Sequence, residues 1–135
     1  MAVSTMKHSL RKDMRRRLAQ LPPQEAAGKS RRACRALVAS AEFERAQAVM
    51  LYLPIHQELD VEAIARAAWA AGKTVLAPRP RWRRRELAPV RIRSLTDGLC
   101  RGPYGIREPA DGEPVAPGEI DLIVVPALAY DRQGN

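Results

Sequence analysis

Apolar residues near the start of the chain follow a helical period. They recur at every fourth position between charged residues, at Met6, Leu10, Met14 and Leu18. Because this spacing places them on one helix face, we expect an amphipathic helix over residues 5–20. Two prolines then interrupt the pattern, and a second helix is predicted within residues 21–40.

Three short apolar runs predict the strands of a sheet: AVMLYLP (48–54), KTVLAP (73–78) and IDLIVVP (120–126). Continuous apolar runs of this length are typical of strands buried on both faces, as in parallel sheets. The segment between the first two runs predicts a helix with Asp60 as its N-cap and Gly72 just past its end. Strand, helix and strand form a βαβ unit, so we expect an α/β fold with all three runs in one sheet.

The rest of the chain adds one strand and a long loop region. ELAPVRIR (86–93) predicts a further strand, whereas residues 96–119 are rich in Gly and Pro and predict loops. With 135 residues, 46% of them hydrophobic, the chain is long enough for one domain, 1–135, with a modest core.

Cysteine usage and hydropathy indicate the compartment. Cys34 and Cys100 lie in no metal-binding spacing, and we expect both thiols to be buried. No apolar stretch has the length of a membrane span or the form of a secretory signal. We therefore expect a cytoplasmic protein, while the Arg-rich residues 1–21 also fit a mitochondrial transit peptide.

The net charge of +8 lies at the N-terminal end. Residues 1–35 carry ten Lys/Arg and two acids, which leaves 13 of the 23 basic and 13 of the 15 acidic residues for the remainder. Such a patch suits a polyanion, whether nucleic acid, a nucleoside triphosphate or an anionic small molecule. Lys7 and Arg11 project from one helix face and can both reach a phosphate chain, but a solvated basic face fits the same pattern.

A loop after the first strand, PIHQEL (54–59), is a candidate for chemistry because doubly wound folds bind ligands at the carboxyl ends of strands. Glu58 there can accept two hydrogen bonds from an amino-heterocycle such as a pterin. On this argument alone, an ordinary solvated loop acid is favoured, since acidic residues in loops add solubility. His56 is a possible base, for which the sequence identifies no nucleophile or acid partner.

Residues 79–93 hold seven arginines and one acid, with Trp82 as the single aromatic residue. The cluster fits either a nucleic-acid strip or a solvated hairpin edge. Neither GxxxxGK[ST] nor GxGxxG occurs, so no standard phosphate loop is predicted.

Five segments together resemble the 5-formyltetrahydrofolate cyclo-ligase family, also called methenyltetrahydrofolate synthetase. They are KHSLRKDMRRRLAQL (7–21), MLYLPIHQELDV (50–61), KTVLAPRP (73–80), YGIREP (104–109) and IDLIVVPALAYDRQGN (120–135). The resemblance implies a three-layer α/β fold of the NagB/RpiA/CoA-transferase-like type with a mostly parallel sheet. It also implies ATP-dependent conversion of 5-formyltetrahydrofolate to 5,10-methenyltetrahydrofolate with ADP and phosphate, using ATP and Mg²⁺.

The resemblance assigns roles to individual residues by position. Lys7 and Arg11 match ATP-phosphate contacts, and Leu53 and Glu58 match folate contacts, with Glu58 as the pterin anchor. Tyr104 falls where the family keeps an aromatic residue near the folate, and Leu87 falls where it often has Met. No catalytic residue is assigned.

The chain departs from the family pattern at its end. In the family, D-x-x-G-N runs into a glycine-rich loop that cradles phosphates and supplies an Asp to magnesium, whereas this sequence ends at Asn135. We therefore expect an N-terminal fragment that lacks its magnesium ligands and does not turn over alone. The alternatives are a non-catalytic remnant and a basic nucleic-acid-binding module. The resemblance favours folate over nucleic acid, since a nucleic-acid binder has no need of Glu58.

Overall fold

A computed structural model describes residues 2–135 and contains helices on a central sheet. The helices are α1 (Ala2–Gln20), α2 (Pro23–Val38), α3 (Ala41–Arg45) and α4 (Glu62–Ala70). The strands are β1 (Ala48–Leu51), β2 (Thr74–Arg81), β3 (Glu86–Ile92), β4 (Leu99–Arg101), β5 (Arg107–Pro109) and β6 (Leu122–Val124). Two 3₁₀ turns lie at Pro103–Gly105 and Pro117–Glu119.

The main sheet has the strand order β3-β2-β1-β6. Strand β1 pairs in parallel with both β2 and β6, and β3 is antiparallel to β2 because the short connection 82–85 turns the chain straight back. The prediction that the three apolar runs share one sheet is confirmed, as are the extra strand within 86–93 and the α/β class with a mostly parallel sheet.

Small and branched apolar side chains form the core. On the sheet, Val49, Leu51 and Val75 have no exposed surface, and α4 packs against the sheet through Ile64 and Ala65. Alanine side chains on α4 let the helix approach the sheet closely, in keeping with the close packing of protein interiors.

Helix α2 is joined to the start of α4 by two side chains that bind the backbone of Asp60. The Asp60 N–H donates to Ser30 Oγ at 3.0 Å, and Cys34 Sγ donates to the Asp60 carbonyl at 3.3 Å. Burial raises the pKa of the Cys34 thiol, and the charge of Asp60 adds to this shift. The prediction that Cys34 is buried is confirmed.

The predicted caps of α4 are half right. The N-cap residue is Val61 and not Asp60. Asp60 lies one residue before the N-cap, and its Oδ1 accepts a hydrogen bond from the Glu62 N–H at 2.9 Å. Gly72 lies past the end as predicted, with φ +73. Its N–H donates to the Trp69 carbonyl and the Lys73 N–H to the Ala68 carbonyl, which is a Schellman ending that favours glycine.

Two other predictions are wrong. Cys100 is exposed, because β4 belongs to a two-stranded sheet and none of its three residues is buried. Residues 96–119 are not loop alone, since β4 and β5 form a two-stranded antiparallel sheet. Gly102 and Gly105 flank the connection between these strands, so glycine marks a tight connection here rather than the absence of strands.

Apolar patterns at both ends of the chain predict the elements but overstate their burial. Helix α1 forms as predicted, yet Met6 and Leu10 on its apolar stripe are exposed. The last strand pairs with β1, yet Ile123 keeps 55% of its surface exposed. No helix in residues 2–135 combines the length and hydropathy of a membrane span.

Asp121 fastens β6 to the beginning of β1. Its Oδ2 accepts hydrogen bonds from the Gln47 and Ala48 N–H groups, both at 2.9 Å. These two bonds lower the pKa of the Asp121 carboxyl. Since β6 leads into the residues described next, this carboxylate sets the position of one wall of the candidate site.

Candidate functional site

A pocket of about 350 Å³ opens where the carboxyl ends of β1 and β6 meet. Its walls come from the loop after β1, the segment after β6 and the second half of α1. The lining residues are Arg15, Leu18, Ile55, His56, Gln57, Glu58, Pro126, Ala127 and Leu128. Because β1 and β6 are parallel neighbours, their following loops lie side by side, as in ligand sites of α/β sheets.

Glu58 is held in a tight turn that fixes its carboxylate at the pocket wall. The Glu58 N–H donates to the Ile55 carbonyl at 3.1 Å, and Glu58 Oε2 accepts from the Ile55 N–H at 3.0 Å. Gln57 adopts φ +70, the left-handed conformation that one turn position requires. The carboxylate is thus oriented by its own loop, and its charge lies in a half-buried position.

Tyr52 links the two ends of the same loop. Its hydroxyl donates to the Leu59 carbonyl at 2.7 Å. Burial raises the pKa of Tyr52 to about 12, and the negative charge of Glu58 adds to the shift. The hydroxyl therefore stays protonated at neutral pH and keeps its hydrogen bond to the loop.

A second pocket of about 450 Å³ adjoins the first and shares Ile55 and His56 with it. Its other lining residues are Pro54, Arg101, Tyr104, Gly105 and Arg107. Glu58 and Tyr104, which are far apart in the sequence, therefore lie on the two sides of one short loop. Ile55 and His56 line both pockets, so these two residues separate and connect them.

The hairpin that carries Tyr104 is tied to the core by Arg107. Its Nη2 donates to Glu62 Oε1 at 2.7 Å and its Nη1 to the Leu95 carbonyl at 3.1 Å. Tyr104 itself has φ +64 and is 86% exposed. Its ring meets Trp82 edge-on, with centroids 5.6 Å apart and planes at 63°.

The predicted phosphate contacts lie along α1, outside both pockets. Lys7 and Arg11 are exposed on the helix, while Arg15, one turn further on, lines the first pocket. At about 1.5 Å per residue, Lys7 and Arg15 are about 12 Å apart along the helix axis. Sequence analysis missed Arg15, although it continues the i, i+4 spacing of Lys7 and Arg11.

Two further residues from the sequence analysis lie apart from the pocket of Glu58. Leu53 is 3% exposed and belongs to the core beneath the loop. Leu87 is exposed on β3, beside Trp82.

The segment after β6 folds back on itself around Asp131. Its Oδ1 accepts from the N–H groups of Gln133 and Asn135 at 2.8 and 2.9 Å, and Asn135 Nδ2 donates to Oδ2 at 3.0 Å. These bonds, the Asn135 side chain first, lower the pKa of Asp131. Tyr130 fixes the preceding turn by donating to the Val125 carbonyl at 2.9 Å.

In the described part of the chain, acidic, histidine and cysteine side chains do not cluster into a metal site. Within residues 2–135, no group of three or more of them is close enough to hold an ion. The described residues therefore offer no ligand set for magnesium.

Comparison with known proteins agrees with this architecture. The model of the 5-formyltetrahydrofolate cyclo-ligase family matches residues 3–135. The chain belongs to this family. A mouse 5-formyltetrahydrofolate cyclo-ligase is 25% identical over 139 residues, which cover 98% of this chain and 68% of the mouse protein.

The fold of the cyclo-ligase family is also recognisable in three dimensions. The NMR structure of 5,10-methenyltetrahydrofolate synthetase from Aquifex aeolicus superimposes with a TM-score of 0.80 at 30% identity. The match covers 93% of this chain and 63% of that protein, so the chain spans under two thirds of the length of this relative. The family resemblance stated from the sequence is confirmed.

Proposed function

We propose that this chain binds 5-formyltetrahydrofolate and forms the folate side of an ATP-dependent cyclo-ligase. The reaction converts 5-formyltetrahydrofolate to 5,10-methenyltetrahydrofolate with formation of ADP and phosphate. Membership of the cyclo-ligase family supports the reaction class. The observation that carries the proposal is the fixed carboxylate of Glu58 in a pocket at the carboxyl ends of β1 and β6.

Glu58 anchors the pterin in this proposal. Its Oε2 is oriented by the Ile55 N–H, so the carboxylate is preorganised to accept hydrogen bonds from ring N–H groups. Hydrogen bonds to a charged acceptor are worth about 1.5–3 kcal/mol each, more than those between neutral groups. Leu53 supports the loop from the core, and Tyr104 supplies an aromatic wall across His56.

ATP approaches along α1. Lys7, Arg11 and Arg15 form a basic track that ends in the first pocket, and its length suits a triphosphate chain whose last phosphate reaches the folate. The formyl oxygen of the substrate is a poor leaving group. Transfer of the γ-phosphoryl group onto it, followed by attack of N10, releases phosphate and closes the ring. The basic side chains counter the phosphate charge during transfer.

Magnesium is a cofactor of the proposed reaction, but the described residues provide no ligand set for it. The carboxylates of residues 2–135 do not fit a magnesium site, since they form no cluster of three. No step of the mechanism is assigned to the ion through these residues. We propose the cytoplasm as the place of action, with a small-molecule substrate as the partner, and the free thiols of Cys34 and Cys100 fit a reducing compartment.

The test is folate binding by isothermal titration calorimetry. We expect Glu58→Gln to weaken 5-formyltetrahydrofolate at least tenfold, because the amide loses the charge and turns one acceptor into a donor. Glu44→Gln on α3 is the matched control, since it removes the same charge from an exposed acid outside the pocket, and it should bind as the parent chain does. Equal affinity for the Glu58→Gln variant and the control would remove Glu58 from the site.

A further inference from the structure

The tip of the β2–β3 hairpin, residues 80–87, is a basic surface whose arginines have no acidic partner. It carries four exposed arginines and a single acid, Glu86. In the part of the chain that the structure describes, none of the four guanidinium groups forms an ion pair with a carboxylate. The four are Arg81, Arg83, Arg84 and Arg85. The tip can therefore bind the anionic groups of a ligand without first breaking an ion pair of its own.

Tyr104 connects this tip to the candidate folate site. It lines the second pocket, which shares Ile55 and His56 with the pocket of Glu58. Its ring also meets the Trp82 indole of the tip, with the centroids 5.6 Å apart. A ligand that extends from Glu58 past Tyr104 therefore reaches the hairpin tip.

The indole of Trp82 lies between an apolar and a basic part of the tip. On one side is a crevice of about 250 Å³ whose wall is mostly apolar and includes Pro80 and Leu87. On the other side is an open hollow of about 650 Å³, lined by Trp82 and three of the four arginines. The tip therefore suits a chain in which short apolar segments alternate with anionic groups.

We propose that the hairpin tip binds the glutamyl tail of the folate and makes the site selective for 5-formyltetrahydrofolate with a poly-γ-glutamyl tail. This rests on the proposed function, in which Glu58 holds the pterin end of the same molecule. The aminobenzoyl ring passes Tyr104, and the tail continues to Trp82 and the arginines. Each γ-glutamyl residue brings two methylene groups to the apolar crevice and one carboxylate to a guanidinium group.

The number of arginines indicates a tail of several glutamyl residues. A monoglutamate tail ends in two carboxylates, whereas the tip presents four exposed arginines. Each further γ-glutamyl residue adds one carboxylate, so a longer tail can engage the remaining guanidinium groups. Ion pairs of this exposed kind each contribute about 1.4- to 5-fold in affinity, and several together give a measurable preference.

The position and the chemistry of the tip select this ligand over other anions. A triphosphate has no methylene groups for the apolar crevice, and in the proposed function it lies along α1. A nucleic-acid strand carries rings and phosphates but has no part that belongs in the pocket of Glu58. The folate is the flat-ringed anion whose ring end is placed next to the tip, so its own carboxylates reach the arginines.

Isothermal titration calorimetry with the monoglutamate and pentaglutamate forms of 5-formyltetrahydrofolate tests the proposal. We expect the parent chain to bind the pentaglutamate about tenfold more tightly than the monoglutamate in about 0.05 M salt. The ratio of the two affinities should shrink in about 0.5 M salt, because salt screens exposed charges.

A charge-matched pair of double variants assigns the preference to the tip. Arg83→Gln with Arg84→Gln should lower the ratio of affinities to about threefold or less, since two of the four exposed ion pairs are lost. Arg32→Gln with Arg35→Gln removes the same charge from exposed positions on α2 and should keep the parent ratio. A circular dichroism melt checks that both double variants are folded.

Glu58→Gln separates the tail site from the pterin site. It should weaken the monoglutamate and the pentaglutamate by the same factor, so the ratio of affinities stays that of the parent chain. Equal affinities of the two forms for the parent chain would overturn the tail site and leave the pterin site in place. So would an equal fall of the ratio in the two double variants. A chain that binds neither form would overturn the proposed function together with the tail site.

Discussion

At the scale of single residues, hydrogen bonds between a carboxylate side chain and nearby backbone N–H groups fix the position of the site. Glu58 and Asp121 each bind N–H groups of the chain near β1. The position of Glu58 in a strand-to-helix loop was predictable from the apolar run before it. The turn that Glu58 forms with Ile55 was not predictable. Its left-handed position is occupied by Gln57, and the sequence has no glycine there to indicate such a conformation.

Asp121 makes the stability of the fold depend on pH. Its pKa is lower in the folded chain than in the unfolded one, so its contribution is present above about pH 4 and is lost as pH falls through the folded value. We expect Asp121→Asn to be less stable than the parent chain in urea at pH 7 and the difference to shrink towards pH 3. Asp111→Asn, in an exposed loop, is the control and should show no such trend. A difference that stays constant with pH would contradict this role.

The two thiols should react at very different rates. Cys100 is exposed on β4, whereas Cys34 is 3% exposed and burial raises its thiol pKa, so little reactive thiolate is present. Iodoacetamide labelling followed by peptide mass spectrometry should modify Cys100 in the folded chain and Cys34 only in denaturant. Equal labelling rates without denaturant would show that α2 does not cover Cys34.

At the scale of elements, local patterns predict helices and strands better than they predict which surfaces meet. The period of α1 and the apolar runs of β1, β2 and β6 come directly from residue spacing. The β4–β5 hairpin was missed because its strands have three residues each and are separated by Gly and Pro. The contact of Tyr104 with Trp82 joins two hairpins, so no local pattern encodes it.

Arg107 is the residue that holds the β4–β5 hairpin on α4. Its ion pair with Glu62 is mostly buried, with the two side chains 26% and 21% exposed. We expect Arg107→Met to lower the free energy of unfolding by about 1.5–3 kcal/mol, the value of a hydrogen bond to a charged group. Arg107→Lys should recover part of this loss. Arg93→Met, at an exposed site past β3, is the control for urea denaturation. Equal stability of the Arg107→Met and Arg93→Met variants would contradict the anchoring role.

At the scale of the whole molecule, the sheet brings separate segments to one edge. The loop after β1, the turn after β6 and the second half of α1 surround the first pocket, and the β4–β5 hairpin borders the second. The family resemblance predicts that Glu58 and Tyr104 contact one ligand, and the two residues line adjoining pockets. Arg15 continues the i, i+4 spacing of Lys7 and Arg11, but only the position of the end of α1 beside the pocket distinguishes it from the other arginines of the helix.

The most direct test of the account is a map of amide chemical shifts as 5-formyltetrahydrofolate is added. Binding at the proposed edge should shift the amides of Ile55–Glu58, Ala127–Leu128 and Gly105–Arg107. Amides of α2 and α3 should keep their chemical shifts. Shifts confined to α2 or α3 would contradict the central claim that the carboxyl ends of β1 and β6 form the folate site.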